Sequence, residues 1–139
     1  MQKATIYISK TDHERLRNLI ESIRGQGDRS NLPYVKNLEE ELEFAELVAS
    51  EDIPSDVVTM RSKLRLRDCD TKKESVYSIV FPGEANFEEG KISVLAPLAT
   101  ALLGCRRGTT VEFEAPGRLR RLQILEILYQ PESSGAFNL

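Results

Sequence analysis

Met60-Arg61-Ser62-Lys63-Leu64-Arg65-Leu66-Arg67 alternates strictly, with Met60, Ser62, Leu64 and Leu66 on one side of an extended chain and four cations on the other. Successive side chains of a strand point to opposite faces, so this period of two predicts a half-buried β-strand. Phosphate or an acidic protein could dock on the positive face. The polar side of an antiparallel sheet has the same pattern, and charges there discourage edge pairing, so the solvated face is the favoured reading. Downstream, Asp70-Thr71-Lys72-Lys73-Glu74 reads as a turn, and Val76 to Phe81 as the returning strand closed by Pro82-Gly83. Lys91 to Leu95 predicts a third strand, and Pro97 opens a short apolar helix, Leu98 to Leu103, that Gly104 ends. Val111 to Glu114 is a strand and Pro116-Gly117 a turn. Leu119 to Tyr129 fits a helix through Leu119, Leu122 and Leu125, or a strand through Ile124, Ile127 and Tyr129. The need for a closing partner in the sheet decides for strand. Gln130 to Leu139 reads as an extended end.

Upstream of Asp56 the period is helical. Ala4 to Ser9 is a brief edge strand, and Thr11 with Glu14 has the spacing of a capping box. Leu16, Leu19, Ile20 and Ile23 predict one helix face, ended by Gly25-Gln26-Gly27. A second helix starts near Leu32-Pro33, with Asn31 as cap, carries Val35, Leu38, Leu42, Ala45 and Ala49 on one stripe, and ends before Pro54. Two such helices form an antiparallel hairpin, a short coiled coil too small to be stable alone, so it must lean on the second half of the chain. Between positions 37 and 56 stand eight acids, Glu39, Glu40, Glu41, Glu43, Glu46, Glu51, Asp52 and Asp56, and no base. A solvated face explains such a run; a surface aimed at a basic partner is the sharper alternative.

The 139 residues, 40% hydrophobic and 29% charged, can bury a core as one domain or two small cooperating lobes. The absence of a run of about 18 apolar residues argues against a membrane span, and early charges break any signal-peptide core, so a cytoplasmic protein is expected. Residues 1–56 hold seven Lys/Arg against twelve Asp/Glu, net −5, while residues 57–139 hold twelve against ten, net +2. An overall basic nucleic-acid binder is therefore not the reading. Cys69 and Cys105 form no Cys-x-x-Cys pair and read as reduced fillers. His13 is the sole histidine and sits in a helix start, which leaves no Ser-His-Asp or Cys-His constellation to build. Gly25-Gln26-Gly27 lacks the context of a dinucleotide loop, and Gly90-Lys91-Ile92-Ser93 leads into a strand where a phosphate loop needs a helix. The Phe and Tyr residues fall at apolar positions and read as core.

One string stands out. Glu84-Ala85-Asn86, Gly90-Lys91-Ile92-Ser93-Val94, Ala96-Pro97-Leu98, Ala101-Leu102-Leu103-Gly104 and Gly108-Thr109-Thr110-Val111 resemble the C-terminal domain of the Gre transcript-cleavage factors. With Asp56-Val57-Val58-Thr59-Met60 and Leu128-Tyr129-Gln130-Pro131-Glu132, the chain is most similar to the Rnk-like members of that family. The resemblance implies an α+β fold: an N-terminal antiparallel helical hairpin over residues 1–54, then an FKBP-like antiparallel sheet with one helix over residues 55–139. It also implies RNA polymerase as partner, gripped by the globular domain at the rim of the secondary channel. In Gre factors acids at the hairpin tip help bind a second magnesium and hydrolyse backtracked RNA, which needs at least two oxygen ligands placed together.

The departures from that pattern shape the functional expectation. Helices of roughly 14 to 18 residues give a hairpin of about 21 to 27 Å, shorter than the Gre hairpin. Its tip, Gly25 to Asn31, carries one carboxylate, Asp28, beside Arg29, with Glu21 a turn earlier. Asn86 and Thr109 stand where Gre factors commonly have Asp, and Ala96-Pro97 replaces Ser-Pro. The polymerase-binding segment that the resemblance implies is Leu95, Ala96, Pro97 and Leu98, an apolar surface in place of a polar one. The expectation is a monomeric, non-enzymatic regulator without cofactor, metal site or membrane contact, which competes with Gre factors and meets nucleic acid only indirectly, in the elongation complex. The alternatives are a weak cleavage factor using Asp28 with Glu21, and an interaction protein that regulates nucleoside diphosphate kinase through the acidic segment from Glu39 to Asp56.

Overall fold

A computed structural model describes residues 5–26 and 32–135. Strand β1 (Tyr7–Ser9) runs directly into helix α1 (Lys10–Gly25), and helix α2 (Leu32–Phe44) leads into strand β2 (Glu46–Val48). Ser9 caps α1: its hydroxyl accepts the N–H of Asp12 at 3.0 Å. The capping box expected from Thr11 and Glu14 is therefore displaced by two residues, and Thr11 Oγ1 instead accepts the Ser50 hydroxyl at 3.1 Å. Helix α2 is also shorter than its apolar stripe suggests. It stops at Phe44 because Ala45 to Val48 extend, with the Glu46 N–H donating to Ile6 O at 2.9 Å, and β2 pairs parallel with β1. Ala45 and Ala49 thus leave the helical face assigned to them. The two helices become the crossover between two parallel strands, which ties both ends of the hairpin together.

The second half is a five-stranded sheet in the order β5-β4-β3-β7-β6. Its members are β3 (Lys63–Asp68), β4 (Glu74–Val80), β5 (Lys91–Ser93), β6 (Thr110–Ala115) and β7 (Arg118–Tyr129). Helix α3 (Pro97–Leu102) is the only helix longer than one 3-10 turn among the described residues after β2. Strands β3, β4, β6 and β7 pair antiparallel, and two register shifts between β3 and β7 curl the sheet. Edge strand β5 departs from the expected antiparallel sheet: it runs parallel to β4, reached through 3-10 turns at Pro82–Glu84 and Phe87–Glu89. The ambiguous Leu119 to Tyr129 segment is β7, the strand that pairs with both β3 and β6. Of the end expected to be extended, residues 130–135 fold back instead, and residues 136–139 lie outside the described residues. Gln130 Nε2 donates to the carbonyls of Pro54 (2.8 Å) and Val57 (2.7 Å), and a 3-10 turn follows at Glu132–Ser134.

One apolar cluster joins both halves. Leu16, Ile20 and Ile23 of α1, Val35, Leu38 and Leu42 of α2, Leu64 and Leu66 of β3, Leu122 and Ile124 of β7, and Leu102 of α3 are all buried in it. The described parts of the hairpin therefore share their core with the globular half, as their small apolar face requires.

Candidate functional site

The segment Leu95 to Leu98 is built by the residues just before it. Ser93 ends β5; its carbonyl accepts the Ala96 N–H at 2.9 Å and its hydroxyl the Leu95 N–H at 3.1 Å, which reverses the chain. Ala96 stays extended (φ −66, ψ 140), as a residue before proline does, and Pro97 occupies the first turn of α3. Buried Thr100 locks the corner from inside: its hydroxyl donates to Val94 O at 2.7 Å and its N–H to Ala96 O at 3.0 Å. Four residues expected to share a surface divide here. The Leu95 side chain is buried in the core, while Ala96, Pro97 and Leu98 reach solvent. The exposed apolar patch is smaller than expected because the Ser93 turn points Leu95 inward.

Two grooves flank this corner, with opposite charge. Against α2 the lining includes Tyr34, Glu40, Pro97, Glu112, Phe113 and Glu114. On the other side Leu98 borders a groove with Lys73, Arg118 and Arg120. At its far end α3 meets the root of the hairpin: Gly104 takes φ +82, and its carbonyl accepts the Tyr7 N–H at 3.1 Å. The corner is thus coupled through α3 to β1.

Hairpin-tip residues Asp28 and Arg29 lie outside the described residues. Near the tip, Arg24 makes a bidentate pair with Glu39, both bonds 2.6 Å, and holds that carboxyl below its usual range. Glu21 is exposed on α1. The acidic run does not form a single helix face. Glu46 lies in β2, Glu51 and Asp52 in a 3-10 turn, and Asp56 pairs with Arg106 at 2.9 Å. The basic strip divides too. Arg65 bridges Glu74 (2.8 Å) and Glu126 (2.7 Å) on the neighbouring strands, as a solvated sheet face does, and Arg61 sits before β3 at φ +65, paired with Glu84.

A buried polar junction between hairpin and sheet leaves almost no mark in the sequence. Asp12 Oδ2 accepts the Met60 N–H at 3.1 Å, and its other oxygen meets Arg15. Burial raises the Asp12 carboxyl above its ordinary value despite these partners. Nearby, Thr59 donates its hydroxyl to Glu132 at 2.7 Å, and burial raises that carboxyl as well. The guanidinium groups of Arg15 and Arg61 both lie over the Phe81 ring, at 5.3 and 5.2 Å. The one signal in the chain is an Asp three places after Ser9, whose partner Met60 stands 48 positions away.

Comparison with known proteins places this geometry. Residues 53–129 match the family described as "Transcription elongation factor, GreA/GreB, C-term", and residues 5–48 match "Rnk N-terminus". The "Regulator of nucleoside diphosphate kinase" of Escherichia coli (strain K12) is 36% identical over 140 residues, covering all of both chains. "Transcription elongation factor GreA" of Magnetococcus marinus is 33% identical over 133 residues, 86% of this chain and 85% of that one. Among solved structures, the "Prokaryotic transcription elongation factor GreA/GreB from Nitrosomonas europaea" superposes with a TM-score of 0.73 at 38% identity, covering 91% of this chain and all of that one.

Proposed function

The chain belongs to the Gre family of transcription elongation factors, as an Rnk-like member, and from that premise we propose that it binds RNA polymerase at the secondary channel and competes with Gre factors without stimulating transcript cleavage. The observation that carries this reading is the stubby hairpin. Helices of 16 and 13 residues span about 24 and 20 Å, and the sequence between them holds one carboxylate, Asp28. A lone carboxylate supplies too few oxygen ligands to hold a second magnesium and orient water. Residues 55–139 provide the docking surface, through Ala96, Pro97 and Leu98 at the start of α3, with buried Leu95 holding the corner from below. Residues 1–54 occupy the channel entrance. The protein works as a cytoplasmic monomer without cofactor or enzymatic step, and nucleic acid meets it only through the elongation complex.

Purified protein added to backtracked elongation complexes is expected to leave transcript cleavage at its basal rate and to blunt cleavage driven by a Gre factor. Absence of competition at saturating protein removes the proposal. If cleavage rises instead and D28A abolishes the rise, the weak cleavage reading with Asp28 and Glu21 replaces it. The name of the Escherichia coli relative supports a second reading, regulation of nucleoside diphosphate kinase through the acidic segment from Glu39 onward. Co-purification with that kinase and not with polymerase favours it.

A further inference from the structure

The core-bearing face of the sheet runs on past α3, and its uncovered end turns cationic. On β7 the face that buries Leu122 and Ile124 continues to Arg120 and Arg118, and on β4 the face of Ile79 continues through Tyr77 to Ser75. Charged residues at core-facing positions of a strand are uncommon, since burial penalises them. Here they line a groove of about 270 Å³ whose floor includes Leu66, Leu98 and Leu122.

The polar groups left over in this groove are donors. Asp68 is the only carboxylate among its described lining residues, and it is fully engaged. Its Oδ1 accepts the N–H groups of Asp70 (2.8 Å) and Thr71 (3.0 Å), and its Oδ2 accepts from Arg120 at 2.7 Å. Lys73 and Arg118 have no ion-pair partner among the described residues. Arg120 Nε is buried without a hydrogen-bond partner, and Tyr77 and Ser75 add hydroxyls. Two unpaired cations above an apolar floor fit an anionic head on an aliphatic stem. A volume of this size takes one or two side chains. A nucleic-acid strand would need cations tracking along its backbone, and the groove on the other side of α3 carries Glu40, Glu112 and Glu114, which repel phosphates.

We propose that this groove receives an acidic side chain, Glu or Asp, from the docking segment of a protein partner, its methylenes resting on Leu66, Leu98 and Leu122 and its carboxylate held by Lys73 and Arg118. The proposal rests on the reading that this partner is RNA polymerase, and it makes the polymerase segment that meets Leu98 an acidic one.

Binding of core polymerase to the full-length chain tests it, with K73E/R118E set against K63E/R67E. The second pair makes the same change of net charge from exposed positions on the opposite face of β3. K73E/R118E is expected to weaken binding about tenfold or more, the neutral K73Q/R118Q to weaken it less, and K63E/R67E to change it by less than about threefold. Equal weakening by the two reversals would mean diffuse electrostatics and overturns the proposal, as does full binding by K73E/R118E while the wild-type chain binds. In that last case the polymerase reading survives alone. A wild-type chain that does not bind polymerase removes both. Binding of a short single-stranded RNA that K73E/R118E abolishes would assign the groove to phosphate and overturn the acidic-protein partner.

Discussion

At Gly104 a Cβ would lie 2.8 Å from Cβ of Ile6 and 3.1 Å from the Tyr7 carbonyl, and the backbone already stands at φ +82. Left-handed strain and overpacking add, so G104A is expected to cost about 2–4 kcal/mol, read as a lower urea midpoint at unchanged slope. Two carboxylates give opposite pH signatures. Asp68, tied first by Arg120 and then by the N–H groups of Thr71 and Asp70, is held well below its ordinary range. Its proton binds more weakly in the folded than in the unfolded chain, so its contribution is present above the ordinary value of 3.8 and lost as pH falls below it. Asp12 behaves the other way: burial raises it, so the folded chain binds its proton more tightly, and that contribution is lost as pH rises above 3.8. Urea denaturation at several pH values should show D68N flattening the acid limb of the stability curve. D12N should gain on the wild type as pH rises from acid to neutral. Parallel curves for either variant would refute the assigned cause.

Among the elements, α1 shows how a cap is chosen. Ser9 and Thr11 both carry hydroxyls, and the spacing to Glu14 singles out Thr11. The hydrogen bonding of β1 to β2 nevertheless holds Ser9 extended, at φ −67 and ψ 149, where a cap must be. S9A is therefore expected to lower stability by about 1 kcal/mol, and T11A by clearly less, in the same denaturation assay. Equal costs would restore Thr11 as the cap. The end of α2 follows a similar logic. The stripe of Val35, Leu38 and Leu42 continues on paper to Ala45 and Ala49, yet Ala45 to Val48 extend because β1 offers unpaired backbone groups alongside. Alanine's helical preference, a fraction of a kcal/mol per residue, is small beside such pairing.

For the whole molecule, the shared core decides what can stand alone. Leu16, Ile20, Val35 and Leu38 are buried in the cluster that also holds Leu102, Leu122 and Ile124, so a fragment of residues 1–54 loses the partner of its apolar face. It is expected to give little helical circular dichroism, whereas the full chain gives a cooperative transition; a stably helical fragment would contradict the shared core. How much of this was legible depends on the reach of each signal. The alternation from Met60 to Leu66, the proline and glycine that bracket α3, and the 3.6 period of Leu16, Ile20 and Ile23 report contacts within a few positions, and all three elements form, although the strand starts only at Lys63 because the chain turns at Arg61. The family motifs around Ala96-Pro97 were likewise present in the chain itself. Three features were not: the parallel pairing of β1 with β2, the parallel entry of β5, and the bond from Asp12 to Met60 across 48 positions. The same holds for the inward Leu95 and for Arg118 beside Lys73 at the open end of the sheet. Local pattern states which face of an element is apolar; which surface meets it, and which charges are left without partners, depends on groups far apart in the chain that only folding brings within a few ångströms.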